Sequence, residues 1–269
     1  MASGFRIENS ELDGEVHFLL NIDPFIRKAL CYPLNTCKDI ERRVNALLDD
    51  GFIYLLETGV KVPGLRALGK GYSSLVVVAN NVRYGIGALK VLRVDSKRDS
   101  LLKEALLLKA IQDLSISPKL MLFRDFYVFY ELQSPLKCKP YVEILARLIL
   151  NRSILDLKRS LLNTFKSLYD LDVKKIDHTE LNRINGHVLY CDGFIKIMDW
   201  ESARFTEKPG NLTSFISFLL YRFRLSSELR ELLQLRIIKI LEALREYKES
   251  YSLKSFNKLK EAMSLQDVN

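Results

Sequence analysis

The segment from Ile176 to Arg204 reads IDHTELNRINGHVLYCDGFIKIMDWESAR. His178-Thr179-Glu180 opens it as a turn, and a loop of polar side chains follows. Cys191-Asp192-Gly193 then closes a two-strand hairpin, and Asp199-Trp200-Glu201 comes straight after an apolar strand. A carboxylate at the start of such a loop and another just past the following strand can converge on one metal ion and one hydroxyl, which is the spacing phosphoryl transfer uses.

Upstream, Leu68-Gly69-Lys70-Gly71-Tyr72-Ser73-Ser74 runs into a β-branched stretch ending at Val78. Glycines let a strand-turn-strand backbone lie close over phosphates, because no Cβ stands between amide and ligand. Taken alone, Gly-x-Gly equally describes a plain hairpin turn. After a turn at Asn80-Asn81, a strand ends Ala88-Leu89-Lys90-Val91, and Glu104 follows in an amphipathic helix over about 100–113. Singly, Lys90 reads as an edge-strand lysine and Glu104 as a solvated helix residue. Strands over 119–123 and 126–130 lead into Glu131-Leu132.

These motifs together resemble the protein-kinase-like superfamily, whose catalytic loop reads His-x-Asp-x-x-x-x-Asn and whose metal motif reads Asp-Phe-Gly. His178 to Asn185 matches the first in length with Glu180 in place of the aspartate, and Asp199-Trp200-Glu201 is similar to the form found in small atypical kinases. The resemblance implies ATP and Mg²⁺ as cofactors. Gly69, Lys70, Gly71, Ser73 and Ser74 would form the loop over the phosphates, with Lys90 on the phosphates and Glu104 holding it. The backbone at Glu131 and Leu132 would meet adenine, Asp199 would hold Mg²⁺ and Glu180 would act as base. For the second metal ligand, a count from Glu180 points to Asn185, while the following strand, Val188-Leu189, points to His187; oxygen ligands suit Mg²⁺ better. Arg183 is a candidate for the γ-phosphate or an RNA phosphate. His178 is expected to pack and to hydrogen-bond the metal-motif backbone.

The fold implied is α+β and two-lobed, protein-kinase-like: a β-rich N-lobe over 61–132, a compact helical C-lobe over 133–269 with a shortened activation segment, and an α/β extension over 1–60 packing on the N-lobe. His178, Leu181, Arg183 and His187-Val188-Leu189 are similar to the small archaeal, RIO-like serine/threonine-kinase family. That family includes an archaeal tRNA 2′-O-kinase, which forms 2′-phosphouridine in the variable loop. The resemblance implies an ATP-dependent tRNA kinase of a thermophilic archaeon; separately, a monomer is expected. An atypical protein kinase or ATPase, and a non-catalytic scaffold resting on Glu180, are the alternatives.

Composition agrees with a folded chain: 269 residues, 48% hydrophobic and 28% charged. No apolar run approaches the roughly 18 residues of a membrane span, and no signal-peptide core stands at the start, so a cytoplasmic protein without membrane contact is expected. The four cysteines lack metal-ligand spacing and are expected as free thiols. Net charge is +8, but residues 1–60 carry 6 Lys/Arg against 10 Asp/Glu, leaving 35 against 23 on the rest. A basic body suits an anionic partner such as RNA, and equally a charged, heat-adapted surface.

The remaining pattern is helical. Short helices are expected at 24–30, capped by Asp23 with Pro24 at the first position, and at 38–48, ahead of a strand over 52–56. Two more fill 142–172 with a break near 151–153, and Lys/Arg exceed Asp/Glu by 9 to 4 over 137–175. After a very short segment, 203–211, helices are expected at 215–224, as one long amphipathic helix over 227–248, and at 252–264. Residues 1–20 alternate weakly, as an edge hairpin or loose tail.

Overall fold

The computed structural model describes residues 5–8 (main chain), 12–134 and 137–266. The chain is α+β and divides into two compact units, one of residues 1–109 and 118–134, the other of 110–117 and 135–269.

The first unit is built on antiparallel strands: β1 (Phe5–Glu8), β2 (Asp13–Phe18), β3 (Phe52–Glu57), β4 (Val60–Val62), β5 (Leu65–Ala67), β6 (Gly69–Lys70), β7 (Ser74–Asn81), β8 (Gly85–Leu92), β9 (Leu120–Phe123) and β10 (Tyr127–Glu131). Its helices are α1 (Pro24–Leu30), α2 (Ile40–Asp49) and α3 (Leu102–Ala110). The main sheet has the order β1-β2-β3-β7-β8-β10-β9, with β6 also on β7, and β4 and β5 pair separately. Within residues 1–60, β3 pairs directly with β7, so this segment continues the main sheet. The hairpin expected in the first twenty residues is present as β1–β2, while residues 1–4 and 9–11 lie outside the described residues.

Local sequence explains much of this unit. The Asp23 carboxylate accepts the Ile26 N–H at 2.9 Å and Pro24 begins α1, so cap and proline start the helix where expected. Helix α2 ends at Asp49, and Gly51 takes the positive φ of 84° that turns the chain into β3. The β7–β8 turn falls at 82–84, not at Asn80-Asn81. Asn81 ends β7, and its side-chain oxygen accepts the Arg83 and Tyr84 N–H groups. Aromatic residues from β3 and β10 pack edge to face, Phe52 lying 5.5 Å from Tyr127 and 4.9 Å from Phe129. Gly87 on β8 is required by that packing, since a Cβ there would stand 2.5 Å from the Phe129 ring and 2.9 Å from the Tyr130 carbonyl. Gly87→Ala is expected to cost about 1–3 kcal/mol through overpacking, read as a lowered urea midpoint with unchanged slope.

The second unit contains β11 (Cys138–Pro140), α4 (Tyr141–Leu150), α5 (Ile154–Val173), β12 (Ile176–Asp177), β13 (Val188–Cys191), β14 (Phe194–Ile197), β15 (Arg204–Phe205), α6 (Asn211–Ser217), α7 (Ser226–Leu232), α8 (Ile237–Ser250) and α9 (Leu253–Ala262). Helix α5 buries Leu157, Leu161, Phe165, Leu168 and Leu171, one face of a 3.6-residue repeat. Asp192 (φ 50°) and Gly193 (φ 93°) make the two-residue turn of the β13–β14 hairpin.

The single helix over 227–248 is broken into α7 and α8, with Gln234 left-handed at φ 51° between them. The break changes the buried face from Leu229 and Leu233 to Ile240, Ala243 and Tyr247, and leaves Leu241 exposed. The cysteines are not free: Cys31 bonds Cys37, and Cys138 bonds Cys191. Cys138 and Cys191 are directly opposed in the β11–β13 register, Cα atoms 4.3 Å apart, a proximity that their sequence separation of 53 conceals. Among the described residues, no helix is long and apolar enough to cross a membrane.

Candidate active site

The first unit carries the lysine and the glycine turn. Lys90 lies in the middle of the sheet, opposite Val76 on β7 and Val128 on β10, so it is not an edge-strand residue. Its ammonium donates to Glu104 Oε1 at 2.8 Å, and both side chains are 4% exposed. Gly69 and Lys70 pair with Val76 and Leu75, and the Gly71 N–H donates to the Ser74 carbonyl at 2.8 Å. Arg93 braces this turn from its far side, its N–H on the Ser73 carbonyl at 2.9 Å and its guanidinium on the Gly71 carbonyl at 3.1 Å. Ser73 and Ser74 are buried and their hydroxyls have no hydrogen-bond partner, while Tyr72 stands exposed at the tip. The Gly71 amide is thus used by the hairpin itself, and a bound phosphate would draw on the rest of the turn.

At the end of β10, the Glu131 N–H donates to the Lys119 carbonyl at 2.9 Å, so that amide is occupied within the sheet. Leu132 packs on the cluster of Val16, Leu56 and Val78.

The second unit carries the loop residues. His178 is fully buried, donates from Nε2 to the Met198 carbonyl at 3.0 Å and meets Trp200 edge-on at 4.9 Å. Since a carbonyl only accepts, the ring is the Nε2–H tautomer. Burial holds its pKa below the ordinary value, so it is neutral at pH 7. Its role is the packing and backbone-holding one expected of it.

Glu180 Oε2 lies 3.3 Å from His187 Nε2, both side chains part-exposed. The His187 carbonyl accepts the Met198 N–H at 2.7 Å, which ties the loop to the residue before Asp199. Asp199 has φ 57° and ψ 74°, a left-handed conformation that aspartate tolerates better than most residues, and Trp200 is buried behind it with Nε1 on the Ile197 carbonyl. Asn185 is exposed and lines a different hollow of about 310 Å³ with Glu143, Arg222 and Arg224. Of the two residues considered for the second metal ligand, His187 is the one drawn to Glu180. Arg183 is exposed one turn on, its N–H bound to the Glu180 carbonyl at 2.9 Å.

One constellation was not anticipated from the sequence. Asn211, first residue of α6, accepts the His178 N–H through Oδ1 at 2.8 Å and donates from Nδ2 to Asp172 at 2.7 Å and to the Ile176 carbonyl at 2.6 Å. Asp172 also accepts the Asn211 and Leu212 N–H groups and the Tyr247 hydroxyl, at 3.1, 3.3 and 2.8 Å. The buried carboxylate thus anchors the start of α6, and through Asn211 the start of the loop that follows His178. An asparagine after Pro209-Gly210 signals a helix start, but nothing local names its partners.

Burial pushes the Asp172 carboxyl up from 3.8 to about 6, outweighing its hydrogen bonds. A folded pKa above the unfolded one means the native state binds more protons between those values. The contribution is therefore fully present below pH 4 and is lost as pH rises through 6, by about 3 kcal/mol. Asp172→Asn is expected to abolish this part of the pH dependence, visible as the wild-type minus variant difference in unfolding free energy from pH 3.5 to 7.5.

No protein-family model and no curated protein sequence matches the chain.

Proposed function

We propose that the chain is an ATP-dependent phosphotransferase, and that its acceptor is a ribose 2′-hydroxyl of tRNA. The observation that carries the phosphotransfer reading is the Lys90–Glu104 pair. Desolvating both charges costs several kcal/mol per ion, and such a pair is often no more stabilising than apolar residues of similar volume. Its presence at the centre of a sheet, one strand from a glycine turn, argues for a lysine held in place for a ligand.

The donor chemistry fits the cofactors. Mg²⁺ is bound by one or two carboxylates with water and phosphate oxygens completing the shell, and Asp199 offers such a carboxylate. Bound Mg²⁺ and ATP would supply charge neutralisation and the phosphoryl group. Lys90 would hold phosphate oxygens, and Glu180, oriented by His187, would take the proton of the acceptor hydroxyl. The tRNA reading is supported by the basic charge of residues 61–269, by the exposed Arg183 beside Glu180, and by the short connection from β15 to α6. The uridine of the variable loop as target follows from the resemblance alone.

The test is transfer from γ-labelled ATP, with Mg²⁺, into total archaeal tRNA and into a protein mixture. Label in tRNA recovered as an alkali-resistant dinucleotide supports the proposal. Label only in protein makes the chain an atypical protein kinase, and no transfer to any acceptor removes the phosphotransferase reading.

A further inference from the structure

We propose that Glu15, His17 and Glu57, all in the first unit, form a binding site for a divalent first-row transition ion such as Zn²⁺. This site is separate from the residues above and does not rest on the proposed activity. Strands β2 and β3 place Glu15 directly opposite Glu57, with His17 two residues along β2 on the same face. One ligand atom from each lies within 4.8 Å of the others. Like charges directly opposed across a strand pair destabilise it unless something neutralises them.

The histidine points to a cation. His17 is 9% exposed, and its Nδ1 meets Asp23 Oδ2 at 2.6 Å. A carboxylate only accepts, so the proton sits on Nδ1 and Nε2 carries a lone pair in the neutral ring. Nε2 is buried without a hydrogen-bond partner, 3.7 Å from Glu57 Oε2. Lone pairs facing one another in this way leave a gap that a cation fills. Ligand atoms about 2.0–2.2 Å from a tetrahedral ion stand roughly 3.3–3.6 Å from each other, close to the 3.7 Å between His17 Nε2 and Glu57 Oε2, while Glu15 lies within 4.8 Å of both.

The surrounding contacts hold these ligands as metal sites are commonly held. Asp23 fixes the imidazole tautomer, Phe25 stacks on the ring at 4.3 Å, and the Arg66 N–H donates to Glu57 Oε1 at 2.8 Å, leaving Oε2 toward the histidine. One imidazole and two carboxylates favour zinc and its neighbours over Mg²⁺. Glu15 is exposed, so the remaining coordination positions open to solvent.

The test is calorimetric titration of the chelator-stripped full chain with Zn²⁺ under non-reducing conditions. One equivalent is expected to bind, with Mg²⁺ in excess failing to compete. Asp23→Asn keeps an oxygen for the α1 cap and is expected to weaken Zn²⁺ by roughly 10- to 100-fold, with Glu57→Gln weakening it further. Metal-free Glu57→Gln is expected to melt no lower than wild type, since it removes a like-charge pair. Absence of stoichiometric uptake overturns the proposal, as does uptake that Glu57→Gln leaves unchanged.

Discussion

Lys90→Met is expected to destabilise the chain by about 3–5 kcal/mol and to remove phosphoryl transfer, whereas Lys90→Met combined with Glu104→Leu should recover the stability and stay inactive. The single change leaves the Glu104 carboxylate 4% exposed without the ammonium 2.8 Å away. Against a typical total of about 5–15 kcal/mol, that loss is large. The double change replaces both charges by apolar groups of similar length, which elsewhere is neutral or stabilising. Denaturant unfolding and label transfer on the same preparations separate the effects. An unaffected single variant would mean the pair carries no buried charge. A double variant that still transfers phosphate would remove Lys90 from the reaction and with it the main support for the proposed activity.

Asp199→Asn should lower transfer by roughly 10³-fold or more, the order at which removing one group aimed at developing charge is felt. Asparagine tolerates the left-handed backbone at this position, φ 57°, so the charge is tested with little added strain. Glu180→Gln is expected to cost roughly 10²- to 10⁴-fold as loss of the proton acceptor. His187→Ala should fall between Glu180→Gln and wild type, because the imidazole 3.3 Å from Glu180 orients it. Asn185→Ala should leave the rate near wild type, its side chain belonging to the hollow shared with Arg222 and Arg224. Steady-state transfer from labelled ATP ranks the four. Should Asn185→Ala prove the more damaging of the two loop variants, the assignment of His187 to Glu180 fails.

The elements readable from sequence are those whose causes are local. Asp23 and Pro24 begin α1, Gly51 ends the approach to β3, and Asp192-Gly193 closes the β13–β14 hairpin, because cap, φ and turn chemistry act within a few residues. The strand of Lys90 and the helix of Glu104 were legible in the same way, and their order suggested a pair that packing then buries. The choice between Asn185 and His187 was not legible, since both count to plausible positions and only the β13–β14 register draws His187 toward Met198 and Glu180.

What the tertiary structure alone decided is a matter of partners distant in sequence. The α7–α8 break carries no glycine or proline, and it arises where the buried face shifts to Ile240 and Tyr247. Tyr247 reaches Asp172 across 75 residues, and Cys138 reaches Cys191 across 53. Glu57 reaches Glu15 only because β2 and β3 pair in one register, since a slip of one residue would send alternate side chains to the opposite face. Composition and spacing determine which helices and strands this chain can form; which carboxylate, thiol or imidazole each residue meets is settled by register and packing, which no local stretch contains.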